Sequence, residues 1–157
     1  MRKRVIGETP PAGVSEATDW LGPEHVAEVE VSSEDPAQPI ESALVDDQGP
    51  GWRAASSGRQ TIRLRFEPAR RLERVRLVFV ETGVARTQEY LLRWSSDGGR
   101  SYREIVRQQW NFNPQGSTSE TETHRLDLAA VDVLELIITP DIAGGGAVAS
   151  LAQLRVA

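Results

Sequence analysis

The chain has 157 residues, no cysteine and a formal net charge of −5. That length gives one domain, large enough to bury roughly 70% of the surface its unfolded chain exposes without disulfide or metal staples. The acidic balance argues against bulk nucleic-acid binding. No stretch approaches the ~20 apolar residues needed to span a bilayer.

The first residues, MRKR, carry the positive charge of a signal peptide, but no apolar run follows them. A cytoplasmic protein is therefore expected, and the lack of cysteine fits a reducing compartment. Seventeen Arg stand against one Lys, a bias that suggests a GC-rich bacterial genome.

Residues 1–20 read as an N-terminal extension, because Pro10, Pro11 and Gly13 break up any apolar period. Residues 21–157 read as the domain. Val26, Val29 and Val31, with Glu28 and Glu30 among them, predict a first strand that is polar on one side. IESALV, from Ile40 to Val45, predicts a short helical turn or bend, and DDQGPG after it is a loop. TIRLRF alternates Ile62, Leu64 and Phe66 with Arg63 and Arg65, the period of a half-buried antiparallel strand. LERVRLVFV, from Leu72 to Val80, predicts a second such strand.

EYLLRWS places Tyr90, Leu92 and Trp94 on one face. It runs through Asp97-Gly98-Gly99, a hairpin signal, into SYREIV. A long polar loop is predicted from Gln108 to Thr123. HRLDL, VLELIIT and SLAQLRV follow as short strands. About eight strands, with no long amphipathic helix, predict an all-β antiparallel sandwich or barrel.

Three segments resemble one family in the same order along the chain. IESALVDDQGPGWRAASSGRQTIRLRF resembles the opening of discoidin domains, also called coagulation factor 5/8 type C domains. EYLLRWSSDGGRSYREI is similar to their Ser-Ser-Asp-Gly hairpin, and ASLAQLRV to their closing strand. The resemblance covers residues 26–157. It implies a galactose-binding-like jelly roll, the fold of carbohydrate-binding modules on glycosidases. WRAASSGRQTI also resembles the N-terminal domain of the X-ray-cross-complementing DNA-repair scaffold protein, which shares that fold.

The resemblance also implies where a ligand and a metal would sit. Glu81, Arg86 and Gln88 correspond to a loop from which related modules extend an Arg and an amide to a sugar. Trp52-Arg53 stands where such modules have Trp followed by a sugar-contacting His. Arg53 keeps a donor there but loses the imidazole. Asp46 and Asp47 match a loop that holds structural calcium in many members, and they are the candidate ligands for that ion. Gln153 replaces the Glu expected on the closing strand, which weakens such a site. No other cofactor is implied.

Read from the residues alone, catalysis finds little support. There are two histidines, His25 and His124, and no HExxH, GxSxG, P-loop or GxGxxG. His124 is in phase with Leu126 and Leu128, which predicts a core position. Gly144-Gly145-Gly146 predicts a flexible hairpin loop, since no helix follows to offer its N-terminus to a phosphate. Trp110, Asn111, Phe112 and Asn113 put two aromatics and two amides in a polar stretch. That is either a stacking surface for a ligand or a plug for one end of the sandwich.

The expected function is a non-catalytic module that binds a glycan or similar polyol through its end loops. The alternative is an intracellular protein-interaction or repair-scaffold domain that uses a sheet face. Residues 5–52 hold eleven carboxylates and no Lys or Arg, whereas residues 53–76 hold eight Arg. If the strands at 62–66 and 72–80 lie side by side, Arg63, Arg65, Arg74 and Arg76 share an outer face able to meet an acidic partner. Glu28 and Glu30 on the first strand offer those arginines a partner within the chain instead.

Overall fold

The computed structural model describes residues 20–45 and 49–157. Asp46 and Asp47, and nearly all of the N-terminal extension, lie outside them. The strands are β1 (Glu28–Val31), β2 (Trp52–Ser57), β3 (Gln60–Val80), β4 (Arg86–Ser95), β5 (Arg103–Phe112), β6 (Ser119–Thr139), β7 (Val148–Leu151) and β8 (Gln153–Val156). A 3-10 turn spans Pro23–His25 and a single helical turn, α1, spans Glu41–Leu44. The all-β antiparallel architecture expected from the alternation, and the jelly-roll sandwich implied by the resemblance, are present.

Two strands are longer than the sequence suggests. TIRLRF and LERVRLVFV are successive halves of β3, and HRLDL and VLELIIT fall within β6. Their antiparallel pairing runs Gln60 to Arg65 against Ile138 to Val133. After three register shifts, with Arg70 opposite Val131 and Leu72 opposite Leu128, it continues from Arg74 to Val80 against Arg125 to Ser119. Those irregularities bend the pair, as bulges do. The bend folds a six-stranded sheet, β1-β3-β6-β4-β5 with β8 on β3, over on itself. β2 and β7 form a separate ribbon.

The two layers meet in one apolar core. Ile62, Leu64, Leu136 and Ile138 come from one half of the long pair, and Leu72, Val75, Leu77 and Phe79 from the other. Phe79 stacks on Tyr90 of β4 with ring centroids 5.3 Å apart, which ties the layers face to face. Tyr90 and Leu92 are fully buried as their phase predicts, and Trp94 packs against the core from a partly covered position. His124 also points inward, its Nε2 2.8 Å from the Tyr90 hydroxyl.

The predicted loop at 108–123 is mostly strand: β5 continues to Phe112 and β6 begins at Ser119. Trp110 and Phe112 face inward while Gln109 and Asn111 face out, so the period of two persists through the polar residues. On β6, inward positions are held by Glu120, Glu122 and His124, paired opposite Phe79, Leu77 and Val75. SLAQLRV divides at Ala152 into β7 and β8.

The bend also separates the arginines. Arg63 and Arg65 lie on one half of β3, Arg74 and Arg76 on the other, so the four share no single outer face. Arg65 pairs with Glu30 of β1 at 2.5 Å. Arg63 reaches Glu135 of β6 at 2.6 Å, and Arg93 of β4 reaches the same carboxylate at 2.5 Å. Near the chain's start, Trp20 lies under the Arg74 guanidinium, 4.6 Å from ring centroid to Cζ.

Candidate functional site

The ends of β3 and β6 and the starts of β4 and β7 lie at one end of the sandwich. Three connecting segments, 81–85, 113–118 and 140–147, therefore gather there. The first and third of these, with Arg53 of β2, enclose an open cleft of about 610 Å³. Among the described residues, the large apolar side chains left exposed are Val80, Val84 and Ile142, and all three belong to this end. Exposed apolar side chains gathered at one place on a small domain mark a contact surface more often than scattered ones do.

Arg86 forms the floor. Its side chain is 2% exposed, and its guanidinium donates to Glu81 Oε2 at 3.0 Å and to the Val148 carbonyl at 3.0 Å. The Phe112 ring lies 5.9 Å from its Cζ. Burial lowers the pKa of Arg86 from its ordinary value; Glu81 opposes that shift, and nearby Arg53 adds to it. Glu81 Oε1 accepts the backbone N–H groups of Gly83 and Val84 at 2.9 and 3.0 Å. One carboxylate thus folds its own loop and neutralises the buried cation.

Arg53 forms one wall. Its backbone N–H donates to Gln38 and its carbonyl accepts from Asp35, which fixes the strand while the exposed side chain reaches into the cleft. The opposite wall is the segment from Asp141 to Val148. Asp141 Oδ1 accepts the N–H of Ala143 at 3.0 Å, holding the turn. Gly144 and Gly145 have φ of +88° and +84°, values that L side chains rarely adopt. From Gly144 to Gly146 this wall is bare backbone, its turn closed by the Gly144 N–H donating to the Asp141 carbonyl at 3.0 Å.

The structure brings Arg53, Glu81 and Arg86 together in one cleft. Trp52 lies elsewhere: it is 1% exposed, its indole N–H donating to the Ser33 carbonyl at 3.1 Å inside the core. Gln88 is 1% exposed, one inward position beyond Arg86 on β4, and pairs in register with Trp110 of β5. The Gln88 amide atoms and the Trp110 indole nitrogen have no hydrogen-bond partner among the described residues. Asn111 faces outward and accepts from the Thr87 hydroxyl at 2.6 Å. Asn113 is exposed at the loop that follows, where its Oδ1 accepts the Gln115 N–H at 3.0 Å.

The sequence reading missed Val84, Asp141 and the glycine wall as parts of the cleft. A signal for them exists: DIAGGG lies between two strands that end on the same side as Glu81 and Arg86. Only the pairing of those strands reveals that. Among the described residues no group of three or more His, Asp or Glu could hold a metal ion. Gln153 is partly buried on β8, opposite Val78. Among the described residues no helix is long and apolar enough to cross a membrane.

A rigid sandwich that presents an open loop-lined cleft at one end is the architecture of a binding domain. A sequence profile of the F5/8 type C domain matches residues 28–154, and the chain belongs to that family. No curated protein sequence matches it.

Solved structures are similar in fold. A CBM32-3 module from a family 31 glycoside hydrolase of Clostridium perfringens is 16% identical with a TM-score of 0.66. That match covers 89% of this chain and 95% of the module. A second module of that organism, CpGH89CBM32-5 in complex with GalNAc-beta-1,3-galactose, is 18% identical with a TM-score of 0.61. It matches over 82% of this chain and 93% of its own. XRCC1, bound in its reduced form to the DNA polymerase beta catalytic domain, is 18% identical with a TM-score of 0.58, over 85% of this chain and 94% of its own.

Proposed function

We propose that the protein is a non-catalytic carbohydrate-binding module whose end cleft holds a sugar or similar polyol. The observation that carries this reading is the make-up of the cleft. An exposed guanidinium on Arg53, bare backbone at Gly144 to Gly146 and the apolar Val84 converge on one space large enough for a sugar ring. Sugar sites combine a few fixed polar groups that read hydroxyls with an apolar surface for C–H faces. Here Val84 supplies that surface in place of an aromatic ring. The complex of CpGH89CBM32-5 with a galactose-containing disaccharide supports the same class of ligand for this fold.

A non-catalytic role is supported by the state of the cleft's carboxylates. Glu81 accepts three hydrogen bonds and neutralises Arg86, and Asp141 holds its own turn. A glycosidase needs two carboxyl groups placed either side of the scissile bond and able to exchange a proton or attack. The sheet-face alternative gains nothing from the arginines on the larger layer, because Arg63, Arg65 and Arg93 are paired with Glu135 and Glu30.

The test is a glycan array followed by calorimetry on the best neutral or acidic sugar, with Arg53→Ala as the control. Arg53 is exposed, so its removal is expected to leave the melting temperature unchanged while weakening binding about ten-fold or more, the worth of a charge-assisted hydrogen bond. Binding that is indifferent to Arg53→Ala would place the ligand elsewhere.

A further inference from the structure

The wall formed by residues 140–147 is a ridge with a second groove behind it. That groove, of about 230 Å³, shares Asp141, Gly144, Gly145 and Ala147 with the first and extends to Arg59 and Ile142. The two hollows are therefore sides of one trough crossing the end of the sandwich. Its midpoint carries no side chain: nothing lies within 4 Å of a Cβ built on Gly144 or Gly145. A ligand chain can cross there in contact with backbone.

Each side of the ridge repeats the same pair of features. The first groove has Arg53 and Val84, the second Arg59 and Ile142. Val84 is 59% exposed and Ile142 is 49% exposed, so both offer apolar surface to a ring. Arg53 and Arg59 are exposed, and neither has an ion-pair partner among the described residues. Asp141, the carboxylate common to both grooves, turns one oxygen back to Ala143. No aromatic residue lines either groove, so the trough lacks the platforms on which nucleic-acid bases stack.

We infer that the trough binds an acidic oligosaccharide of two or more residues, whose carboxylates meet Arg53 on one side of the glycine ridge and Arg59 on the other. This rests on the reading of the first cleft as a polyol site and adds ligand length and charge to it. Paired guanidinium–carboxylate contacts give both affinity and register along a chain of repeating acids.

The experiment compares galacturonic acid, the trimers of galacturonic and mannuronic acid, and a neutral galactose trimer by calorimetry at low and high salt. An acidic trimer is expected to bind about ten-fold tighter than the monomer and than the neutral trimer, and to weaken as salt rises. Arg59→Ala should remove the trimer's advantage while leaving the monomer, which occupies only the first groove, unaffected. Arg59→Glu should weaken the acidic trimer further.

A neutral trimer that binds as tightly as the acidic ones, a monomer that matches its trimer, or indifference to both Arg59 changes would overturn the inference and leave the polyol cleft standing. Failure of every sugar, acidic or neutral, would overturn both.

Discussion

Arg86 and Glu81 form an ion pair of 3.0 Å at the floor of the cleft, with side chains 2% and 14% exposed. The pair joins β4 to the loop that leaves β3, and its other contacts hold Gly83, Val84 and Val148 in place. Removing one partner strands a buried charge. Glu81→Ala is expected to cost about 3–5 kcal/mol in urea denaturation, the range for breaking a buried pair. Glu81→Gln keeps an acceptor oxygen for the loop N–H groups and should cost less. A loss below about 1 kcal/mol for Glu81→Ala would mean that the loop is held by something else.

Glu120 gives the protein a pH-dependent stability near neutrality. It is 3% exposed, and burial, with the neighbouring Glu122 adding to it, pushes its carboxyl up from 4.5 to about 7. Between those values the folded state keeps a proton that the unfolded state has lost, so stability falls as pH rises through the window. The full effect at pH 8 is about 3 kcal/mol. His124 acts the other way: burial lowers its pKa, so its contribution is lost as pH falls below the ordinary histidine value. Comparing the wild type with Glu120→Gln from pH 4 to 8 isolates the first effect. The variant should gain stability relative to wild type as pH rises, and a parallel pair of curves would refute the assignment.

Glu135 makes the opposite prediction in acid. It is 0% exposed between Arg63 and Arg93. Burial alone would raise its carboxyl, but the hydrogen bonds and charges of the two arginines outweigh that and hold it below its ordinary value. A depressed carboxyl contributes stability that is complete above the unfolded pKa and is lost as pH falls through the folded one. The stability difference between wild type and Glu135→Gln should therefore be constant above about pH 5 and shrink below pH 4. A difference that grows in acid would contradict this.

Leu92 and Leu136 face each other in register across β4 and β6, and both are at most 1% exposed. Truncation of either to Ala should cost about 2–5 kcal/mol. Because they share the same space, the double variant should depart from the sum by more than about 0.5 kcal/mol. Simple additivity in chemical denaturation would show that they do not pack as one unit.

The resemblance to a family motif singled out Arg53, Arg86 and Glu81 in the sequence, and the three line one cleft. Trp110 shows the limit of such reading. In sequence it stands among amides and resembles a loop platform, yet its alternation with Gln109 and Asn111 marks it as strand. Charged residues at inward positions of β6 hid the same alternation, since Glu120 and Glu122 sit where apolar residues are expected. A period of two is carried by side-chain direction, not by hydrophobicity, and polar residues on the inner face obscure it.

The all-β class is legible in local residue patterns. Alternating Val, Ile, Leu and Phe with short Gly-, Pro- and Asp-rich turns bury one face of each strand in a sandwich or barrel, and local chemistry is enough to show that much. Which segments meet depends on contacts between residues distant in the chain. Arg59 and Ile142, separated by the whole of β3 to β6, come together because Gln60 pairs with Ile138. Arg53, Glu81 and Asp141 also lie far apart along the chain. Their assembly depends on the bend in that long pair, where register shifts between Arg65 and Arg74 turn one sheet into two facing layers. Those shifts follow from how bulged backbone packs against the opposite layer, a long-range constraint that no local window of residues contains.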